Sequence, residues 1–517
     1  MKVILIVLDG WGVAPPGFGN AISQARTPTL HALEQEYPSC LVQASGIAVG
    51  LPWGKEGNSE VGHLNIGAGS VVFQYLPRII ESIRDGSFFE NKAFKGAASH
   101  VKKHSSSLHF AGLVSSGSVH SYIDHLYGLL ELAKRERISK VYLHIFTDGK
   151  DSPPKEAAKF VRQLDERLRL QGSGEIATVI GRTYAMDRNE NWQATQKAYE
   201  LLTQGKGEVV PDAPAYLEGS YARSINDKYI EPALIQNSNT IKKNDAVIFF
   251  NLREDSARQI ARAFSQERFE HFPRKKVENL FFVAMTQYDE TIPLSCVAFP
   301  SPSVPSPLAQ VFQDHGKSPL RIAESEKYAH ITYFFNGFRE KPYRAEERIL
   351  IPSFGTPHYE QYPEMGAFKI TEKAVRHMDS FDFTLINFAN ADMLGHSGDI
   401  NATIRGIETI DECIKKILVA KNEETALIIT ADHGKAEEMF DPETRQVKTE
   451  HTSNPVPFYL VQKEKRGLFA SRIVSQPTKG ILADVAPTVL ELMGIPAPKE
   501  MTGQSLAPYL HKPSPHF

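Results

Sequence analysis

The chain has 517 residues, of which 41% are hydrophobic and 23% charged, and its formal net charge is −3. This composition excludes a collagen-like or mainly disordered chain, and the charge lacks the basic excess typical of proteins that bind duplex nucleic acid or an anionic membrane. At about 150 residues per domain, the length predicts two to four domains.

Two features predict a cytoplasmic protein. The cysteines Cys40, Cys296 and Cys413 are too few and too dispersed for a disulfide framework or a cysteine-based zinc site, and they suit a reducing compartment. The apolar run at residues 3–8 is shorter than a secretory signal of about 7–15 residues and far shorter than a membrane span of about 20. We interpret that run as a buried strand.

Short apolar runs recur along the chain and alternate with amphipathic helical patterns, as at 122–137 and 154–170. Runs of this length between polar turns are typical of strands covered on both faces. The alternation predicts an α/β fold with doubly wound parallel sheets and right-handed crossovers. The predicted strands are 3–8, 108–114, 141–146, 176–180, 246–250, 280–286, 384–389 and 426–430.

Two joints divide the chain. Residues 299–307, Phe-Pro-Ser-Pro-Ser-Val-Pro-Ser-Pro, predict a semi-rigid linker because proline disfavours helix. A less marked joint lies near residues 74–77, after a glycine-rich stretch. We therefore predict a discontinuous domain of residues 1–76 and 299–517, into which a second α/β domain of residues 77–298 is inserted.

The first chemical candidates along the chain are Asp9, which follows the first strand, and Ser59, which lies between glycines. Ligands of open α/β sheets bind beyond the carboxyl ends of the strands. Asp9 is also compatible with a simple turn, and Ser59 with the N-cap of a short helix. A serine at a helix N-terminus lies where backbone N–H groups favour phosphate, and a metal ion can activate its hydroxyl, so Ser59 is the candidate nucleophile. We expect His63 to have a structural or supporting role.

The strands of the predicted insertion are followed by cations. Singly, such arginines are compatible with a solvated surface, but together they predict a small polyanionic ligand, because a guanidinium matches carboxylate and phosphate oxygens in paired hydrogen bonds. A carboxylate among these cations, Asp151, is a candidate proton acceptor for a substrate hydroxyl. The candidate residues are His120, Lys150, Asp151, Arg182, Arg188 and Arg253.

Past the linker, carboxylates and imidazoles follow two further strands. Each has an ordinary alternative as a solvated pair or a loop histidine, but several strand ends deliver them to one sheet edge together with Asp9. A ligand set without thiolates is expected for Mn²⁺, Zn²⁺ or Mg²⁺, and six side chains suffice for a dinuclear site. Besides Asp9, the candidates are Asp392, His396, Asp432, His433 and His451. Lys327, just past the linker, could reach a phosphoryl group, although the sequence alone does not select it.

These stretches resemble the cofactor-independent phosphoglycerate mutases, a family within the alkaline phosphatase superfamily. The serine-centred stretch is highly specific, whereas Ala-Asp-His-Gly marks only the superfamily. The matches run in family order through nearly the whole chain: Leu-Asp-Gly-Trp-Gly at 8–12, Gly-Asn-Ser-Glu-Val-Gly-His-Leu-Asn-Ile-Gly-Ala-Gly at 57–69, Asp-Gly-Lys-Asp at 148–151, Gly-Arg-Thr-Tyr-Ala-Met-Asp-Arg at 181–188, Asn-Ala-Asp-Met-Leu-Gly-His at 390–396, Thr-Ala-Asp-His-Gly at 430–434 and His-Thr-Ser-Asn-Pro-Val-Pro at 451–457.

The resemblance implies an alkaline-phosphatase-like domain carrying the insertion, and a monomeric glycolytic isomerase that interconverts 3-phosphoglycerate and 2-phosphoglycerate without 2,3-bisphosphoglycerate. Ser59 would carry the phosphoryl group while glycerate re-orients, and Asp151 would handle the hydroxyl protons. One Mn²⁺ would be held by Asp9, Ser59, Asp432 and His433, and the other by Asp392, His396 and His451. Substrate contacts would come from His120, Asp151, Arg182, Arg188, Arg253 and Lys327.

Three positions depart from the family pattern and concern the details of anion binding. Lys150 stands where arginine is usual, and Lys435 replaces an asparagine. Ser256 stands where a second arginine usually follows Arg253. Arg258 is two residues further, a rotation of about 200° on a helix, so it substitutes only if the local backbone differs.

Two alternatives to a mutase remain open from the sequence. In a metal-dependent phosphatase, water would attack phosphorylated Ser59. The cationic insertion favours the mutase, because covering the metals would retain glycerate and exclude water. A phosphoglycerate-binding protein without activity is the second alternative, although every candidate ligand and the nucleophile are present.

Overall fold

The apolar runs form two eight-stranded sheets in the computed structural model, which describes residues 1–172, 174–289, 292, 296–355, 358–441, 444–469 and 472–510. The chain divides into two units: unit 1 is Met1–Gln74 with Pro302–Phe517, and unit 2 is Tyr75–Ser301. Compared with the predicted insertion of 77–298, unit 2 begins two residues earlier and ends three residues later. The helix that begins at Tyr75 and the edge strand that ends at Phe299 therefore lie entirely within unit 2.

All eight predicted strands are present, each within one residue of its predicted start and end. Eight further strands accompany them. In chain order the strands are β1 (Lys2–Leu8), β2 (Ser39–Gln43), β3 (Leu108–Leu113), β4 (Val141–Thr147), β5 (Glu175–Gly181), β6 (Glu208–Val210), β7 (Ala233–Ile235), β8 (Ala246–Phe249), β9 (Phe281–Thr286), β10 (Cys296–Phe299), β11 (Pro319–Glu324), β12 (Glu347–Ile351), β13 (Phe383–Phe388), β14 (Thr425–Thr430), β15 (Val456–Val461) and β16 (Thr478–Ile481).

The helices cover the sheets and connect their strands. They are α1 (Ala21–Gln24), α2 (Pro28–Glu36), α3 (Ser59–Ala68), α4 (Tyr75–Asp85), α5 (Lys92–His104), α6 (Ile123–Arg135), α7 (Ala157–Gln171), α8 (Arg182–Ala185), α9 (Trp192–Gln204), α10 (Ala213–Ala222), α11 (Arg258–Ser265), α12 (Leu308–Asp314), α13 (Ser325–Ala329), α14 (Ala367–His377), α15 (Asn390–Ser397), α16 (Ile400–Ala420) and α17 (Val485–Leu492).

The sheet of unit 1 has the order β12-β11-β13-β1-β14-β15-β2-β16. The first five strands are parallel, and β1 lies between β13 and β14 with Val3 opposite both Phe383 and Ala426. The predicted parallel arrangement does not extend to β15, which runs antiparallel to β14 and β2. The described residues between Thr430 and Val456 form no helix that would cross the sheet and restore the parallel direction.

The sheet of unit 2 has the order β10-β9-β8-β3-β4-β5-β7-β6. Strands β10 to β5 are parallel, and β7 pairs antiparallel with β5, which is a second departure from the parallel prediction. Alternate residues such as Phe110 and Ala111 point into different apolar clusters, because helices cover both faces. The α/β prediction is confirmed for both units. Across the described residues, no helix combines the length and the apolarity that a membrane crossing needs.

Candidate metal centre and anion site

Four parallel strands of unit 1 end at the same sheet edge and present charged side chains there. Asp9 follows β1, Asp392 lies in α15 after β13, and Asp432 follows β14. Lys327 lies in α13, directly after β11. His451 reaches the same edge because β15 starts there. This is the carboxyl-end position at which open α/β sheets bind ligands.

The first group comprises Asp392, His396 and His451. The Nε2 atoms of His396 and His451 lie 3.2 Å and 3.3 Å from Asp392 Oδ1, and 3.0 Å from each other. Asp392 and His396 are four residues apart and share one face of α15, as their spacing predicts. The carboxylate is buried, whereas His396 is partly exposed.

The second group comprises Asp9, Ser59, Asp432 and His433, all buried. Ser59 Oγ lies 3.1 Å from Asp9 Oδ1 and 3.0 Å from His433 Nε2. His433 Nε2 is in turn 3.6 Å from Asp9 Oδ1 and 3.5 Å from Asp432 Oδ2. His433 also belongs to a compact set with Asp392 and His451, whose ligand atoms lie within 4.8 Å of one another, so the two groups adjoin.

Ser59 is the first residue of α3 and not its N-cap, so the alternative role as a helix cap falls to its neighbour. Asn58 occupies the cap position, and its side chain accepts a hydrogen bond from the N–H of Val61 at 2.9 Å. The Ser59 hydroxyl therefore faces the acidic and imidazole groups instead of the helix end. It also accepts a hydrogen bond from Lys327 Nζ at 2.7 Å.

The Lys327 ammonium is buried among the carboxylates. It forms ion pairs with Asp9 and with Asp392, the latter at 2.7 Å. Burial would lower the pKa of Lys327, but the Asp392 and Asp9 carboxylates raise it above its usual range. Burial would likewise raise the pKa of Asp392, and the Lys327 charge holds it well below its usual range. Burial, followed by the charge of Asp432, raises the pKa of Asp9.

Two observations indicate that the side chains fit divalent cations. The Nδ1 atoms of His396, His433 and His451 donate to the backbone carbonyls of Thr449, Gly434 and Gly57, so their Nε2 lone pairs point at one another and at the carboxylates. Within the described residues, Lys327 is the only ammonium at ion-pair distance from Asp9 and Asp392, and none lies at that distance from Asp432. Asp392 Oδ1 and Asp432 Oδ2 accept no hydrogen bond there. Facing lone pairs beside uncompensated carboxylates suit Mn²⁺ or a similar ion.

His63 and Asn387 connect two of the carboxylates. His63 Nδ1 lies 3.1 Å from Asp432 Oδ2 and donates to Ser59 O, and its Nε2 accepts from Asn387 Nδ2 at 3.0 Å. Asn387 Nδ2 also donates to Asp9 Oδ2 at 2.9 Å. Our sequence reasoning missed Asn387, although an amide in the middle of an apolar strand was a usable signal.

In unit 2, the adjacent strands β8, β3, β4 and β5 deliver a second cluster. Arg182 bonds to Asp148 and to Asp151 Oδ2, the latter at 2.6 Å, and donates to His120 Nε2 at 2.9 Å. Because His120 Nε2 is the acceptor, its Nδ1 donates to Ser256 Oγ at 2.8 Å. Burial, followed by the Arg182 charge, lowers the pKa of His120 to about 4.

The remaining cations of unit 2 are more exposed. Arg188 and Arg253 both pair with Asp255 Oδ2, at 2.7 Å and 2.9 Å, and Lys150 is exposed on the loop after β4. Arg258 does not substitute for the arginine missing at Ser256, because its Nε donates to the Tyr288 carbonyl at 2.9 Å. Ser256 instead contacts His120.

The third family departure, Lys435, is fully buried in unit 1. Its Nζ donates to the carbonyl of Lys448 at 2.8 Å. Burial lowers the pKa of this ammonium, and the Asp392 charge opposes the shift. The longer side chain is therefore tied to a neighbouring loop backbone.

Residues 79–290 match a family described as the BPG-independent PGAM N-terminus. The chain is 48% identical over 510 residues to the 2,3-bisphosphoglycerate-independent phosphoglycerate mutase of Moorella thermoacetica, with 98% of both chains covered. It is also 48% identical to mutase 1 of the same kind from Methanosarcina barkeri, again with 98% of each chain covered. A crystal structure of Leishmania mexicana phosphoglycerate mutase superposes with a TM-score of 0.56 at 28% identity and 97% coverage of both chains.

Proposed function

The chain belongs to the 2,3-bisphosphoglycerate-independent phosphoglycerate mutases, and from this membership we propose that it interconverts 3-phosphoglycerate and 2-phosphoglycerate in glycolysis through a phosphoserine at Ser59. The observation that carries the proposal is the setting of Ser59 Oγ, which lies within 3.1 Å of Asp9, His433 and Lys327. A hydroxyl between an ammonium and metal-binding groups suits the transfer of a phosphoryl group.

Two divalent cations, which we propose to be Mn²⁺, would bind the two groups of unit 1. Asp9, Ser59, Asp432 and His433 would hold one, and Asp392, His396 and His451 the other. When bound, such ions lower the pKa of a coordinated hydroxyl and neutralise phosphoryl oxygens. His63 and Asn387 would keep the Asp9 and Asp432 carboxylates oriented.

Ser59 Oγ would attack the phosphorus of the substrate ester, so that the bond from phosphorus to the glycerate oxygen breaks as the bond to serine forms. The charge of Lys327 would stabilise the transferring phosphoryl group, because this lysine already donates to Ser59 Oγ. In the reverse transfer, the other glycerate hydroxyl would attack phosphoserine and restore the free serine.

Unit 2 would bind glycerate and move its hydroxyl protons. Arg182, Arg188 and Arg253 would bind the anionic groups, with Lys150 at the exposed rim. His120 would accept a hydrogen bond at Nε2, while its Nδ1 donates to Ser256. Asp151 Oδ2, beside Arg182 and 3.5 Å from His120 Nε2, would exchange protons with the two glycerate hydroxyls.

We also propose that the protein acts as a monomer in the cytoplasm. The three cysteines are unpaired thiols in the structure, which is compatible with a reducing compartment.

An assay with 3-phosphoglycerate in the presence of Mn²⁺, but without 2,3-bisphosphoglycerate, tests the proposal. It follows 2-phosphoglycerate and free phosphate together. A mutase forms 2-phosphoglycerate without stoichiometric phosphate. Release of phosphate would instead indicate a phosphatase, and the absence of both products would indicate a binding protein.

A further inference from the structure

Glu437 is a buried carboxylate in the chain segment after β14, with 3% of its surface exposed. Its two oxygens accept four hydrogen bonds from side chains and backbone. Oε2 accepts from the backbone N–H groups of Gly12, at 3.0 Å, and Lys435, at 2.8 Å. Oε1 accepts from the Thr452 hydroxyl and from Asn454 Nδ2, the latter at 3.0 Å.

Two glycines make room for this carboxylate. A Cβ atom at Gly12 or at Gly434 would overlap the carboxylate of Glu437. Any side chain at either position would therefore displace the carboxylate or the loop. The backbone of both loops is thus built around Glu437.

The donors belong to the three loops that carry most of the proposed metal ligands. Gly12 lies three residues after Asp9, Lys435 lies two residues after His433, and Thr452 directly follows His451. The loops also join each other, since Thr452 donates its N–H to the Gly434 carbonyl at 3.0 Å. One anion at the shared point fixes the Gly12 loop, which lies 425 residues before Glu437 in sequence, relative to the two nearby loops of Lys435 and Thr452.

From this arrangement we propose that Glu437 is a positioning residue that sets the affinity of the metal centre without touching the ions. The inference rests on the proposed metal centre. Groups that orient metal ligands typically contribute about 10–100-fold to metal affinity, because a displaced ligand loses its favourable geometry. A carboxylate suits this role because all four groups around it are donors.

Glu437→Gln is the sharpest test, because glutamine has the same size but its amide nitrogen cannot accept from two of the four donors. We expect Mn²⁺ to bind the variant about 10–100-fold more weakly than the parent protein, measured by calorimetric titration of metal-free protein. At saturating Mn²⁺, the KM for 3-phosphoglycerate should stay within about twofold, since unit 2 is unchanged. Glu438→Gln is the matched control, because Glu438 is the adjacent carboxylate in the chain and forms an ion pair with Lys448.

Thr452→Val provides a second test that leaves the carboxylate in place and removes one donor. We expect its Mn²⁺ affinity to fall about 3–10-fold, between the control and Glu437→Gln. This variant decides the question if Glu437→Gln does not fold. Affinities within threefold of the parent in the variants that fold would overturn the inference, as would a loss of metal-free stability without a change in affinity. Failure of the parent protein itself to bind Mn²⁺ would overturn the metal centre as well.

Discussion

At the scale of single residues, the position of Ser59 depends on its neighbour. Asn58 caps α3, so the Ser59 hydroxyl is free to contact Asp9, His433 and Lys327. The hydroxyl oxygen of a serine at the cap position would instead accept a hydrogen bond from the helix N–H groups. The division of roles between two adjacent residues thus supplies both a stable helix end and an available nucleophile.

Replacing Ser59 by alanine should abolish turnover and preserve the fold. We expect kcat to fall by about 10³-fold or more, because no other hydroxyl takes the phosphoryl group, and the free energy of unfolding to change by less than about 1 kcal/mol. Lys327 keeps its ion pairs with Asp9 and Asp392 in this variant. Ser82→Ala is the control, since that buried hydroxyl only donates to a helix carbonyl. Activity within tenfold of the parent would contradict covalent transfer.

Ser256 offers a test of the anion site. Its hydroxyl accepts from His120 Nδ1, which leaves His120 Nε2 to accept from Arg182. In Ser256→Ala we expect the KM for 3-phosphoglycerate to rise about fivefold, which corresponds to one lost hydrogen bond of about 1 kcal/mol. Steady-state kinetics can be compared with Ser220→Ala, which removes an equally buried hydroxyl elsewhere in unit 2. Equal KM values for the two variants would contradict a role in positioning His120.

At the scale of elements, α6 carries a buried titratable group that weakens unit 2 in acid. Neither ring nitrogen of His125 has a hydrogen-bond partner within the described residues, and burial lowers its pKa to about 3. An unfolded histidine takes up a proton below pH 6.5, whereas the folded one stays neutral until about pH 3. Stability therefore falls as the pH decreases between these two values.

His125→Leu should remove this dependence. Denaturant unfolding at pH 7.5 and pH 5 should show that the parent loses about 2 kcal/mol more than the variant over this interval. The variant should be at least as stable as the parent at pH 7.5, because leucine leaves no unpartnered polar atoms in the core. An identical pH dependence in both proteins would exclude His125 as the source.

The elements also show how far sequence patterns extend. Long buried strands were predictable because residues such as those of β1 and β14 form continuous apolar runs. Strands β6 and β7 have only three residues each, too few for a periodic signal. β15 was missed because Pro457 argues against a strand, yet Pro457 pairs only with Leu41 of β2, since the pairing of β15 with β14 begins at Phe458.

The residues of the candidate site likewise divide into those that the local sequence predicts and those that it does not. Asp9, Asp392 and Asp432 were predictable because each follows an apolar strand directly or within a few residues. Asn387 is marked locally only as an amide in an apolar strand, and Glu437 carries no local signal, since the roles of both depend on contacts with residues about 375 to 425 positions away in sequence. Strand ends are a local property, whereas the groups that orient them depend on tertiary structure.

At the scale of the whole molecule, the two units carry different chemistry. The carboxylates and imidazoles suited to cations lie in unit 1, and the arginine cluster suited to anions lies in unit 2. Under the proposed function, each unit therefore supplies one half of the reaction. If the metal centre of unit 1 is disabled, unit 2 should still bind the anionic substrate, and if the arginine cluster of unit 2 is disabled, unit 1 should still bind metal ions.

Removing divalent metal tests this separation. After chelation we expect turnover to disappear, while binding of 3-phosphoglycerate, measured by calorimetry, weakens by no more than about tenfold. Added Mn²⁺ should restore turnover. Full activity in metal-free protein would contradict the metal centre. Complete loss of phosphoglycerate binding would contradict an anion site built from unit 2 alone.

The central position of β1 has a consequence for how the protein is made. Its sheet partners, β13 and β14, are translated about 380 and 425 residues later, which at about 5–20 residues per second means a delay of tens of seconds. All eight strands of the other sheet are synthesised in that interval. The nascent chain therefore carries an apolar strand without its two sheet partners while the inserted unit is synthesised, and chaperones that bind short hydrophobic segments have a target during that interval.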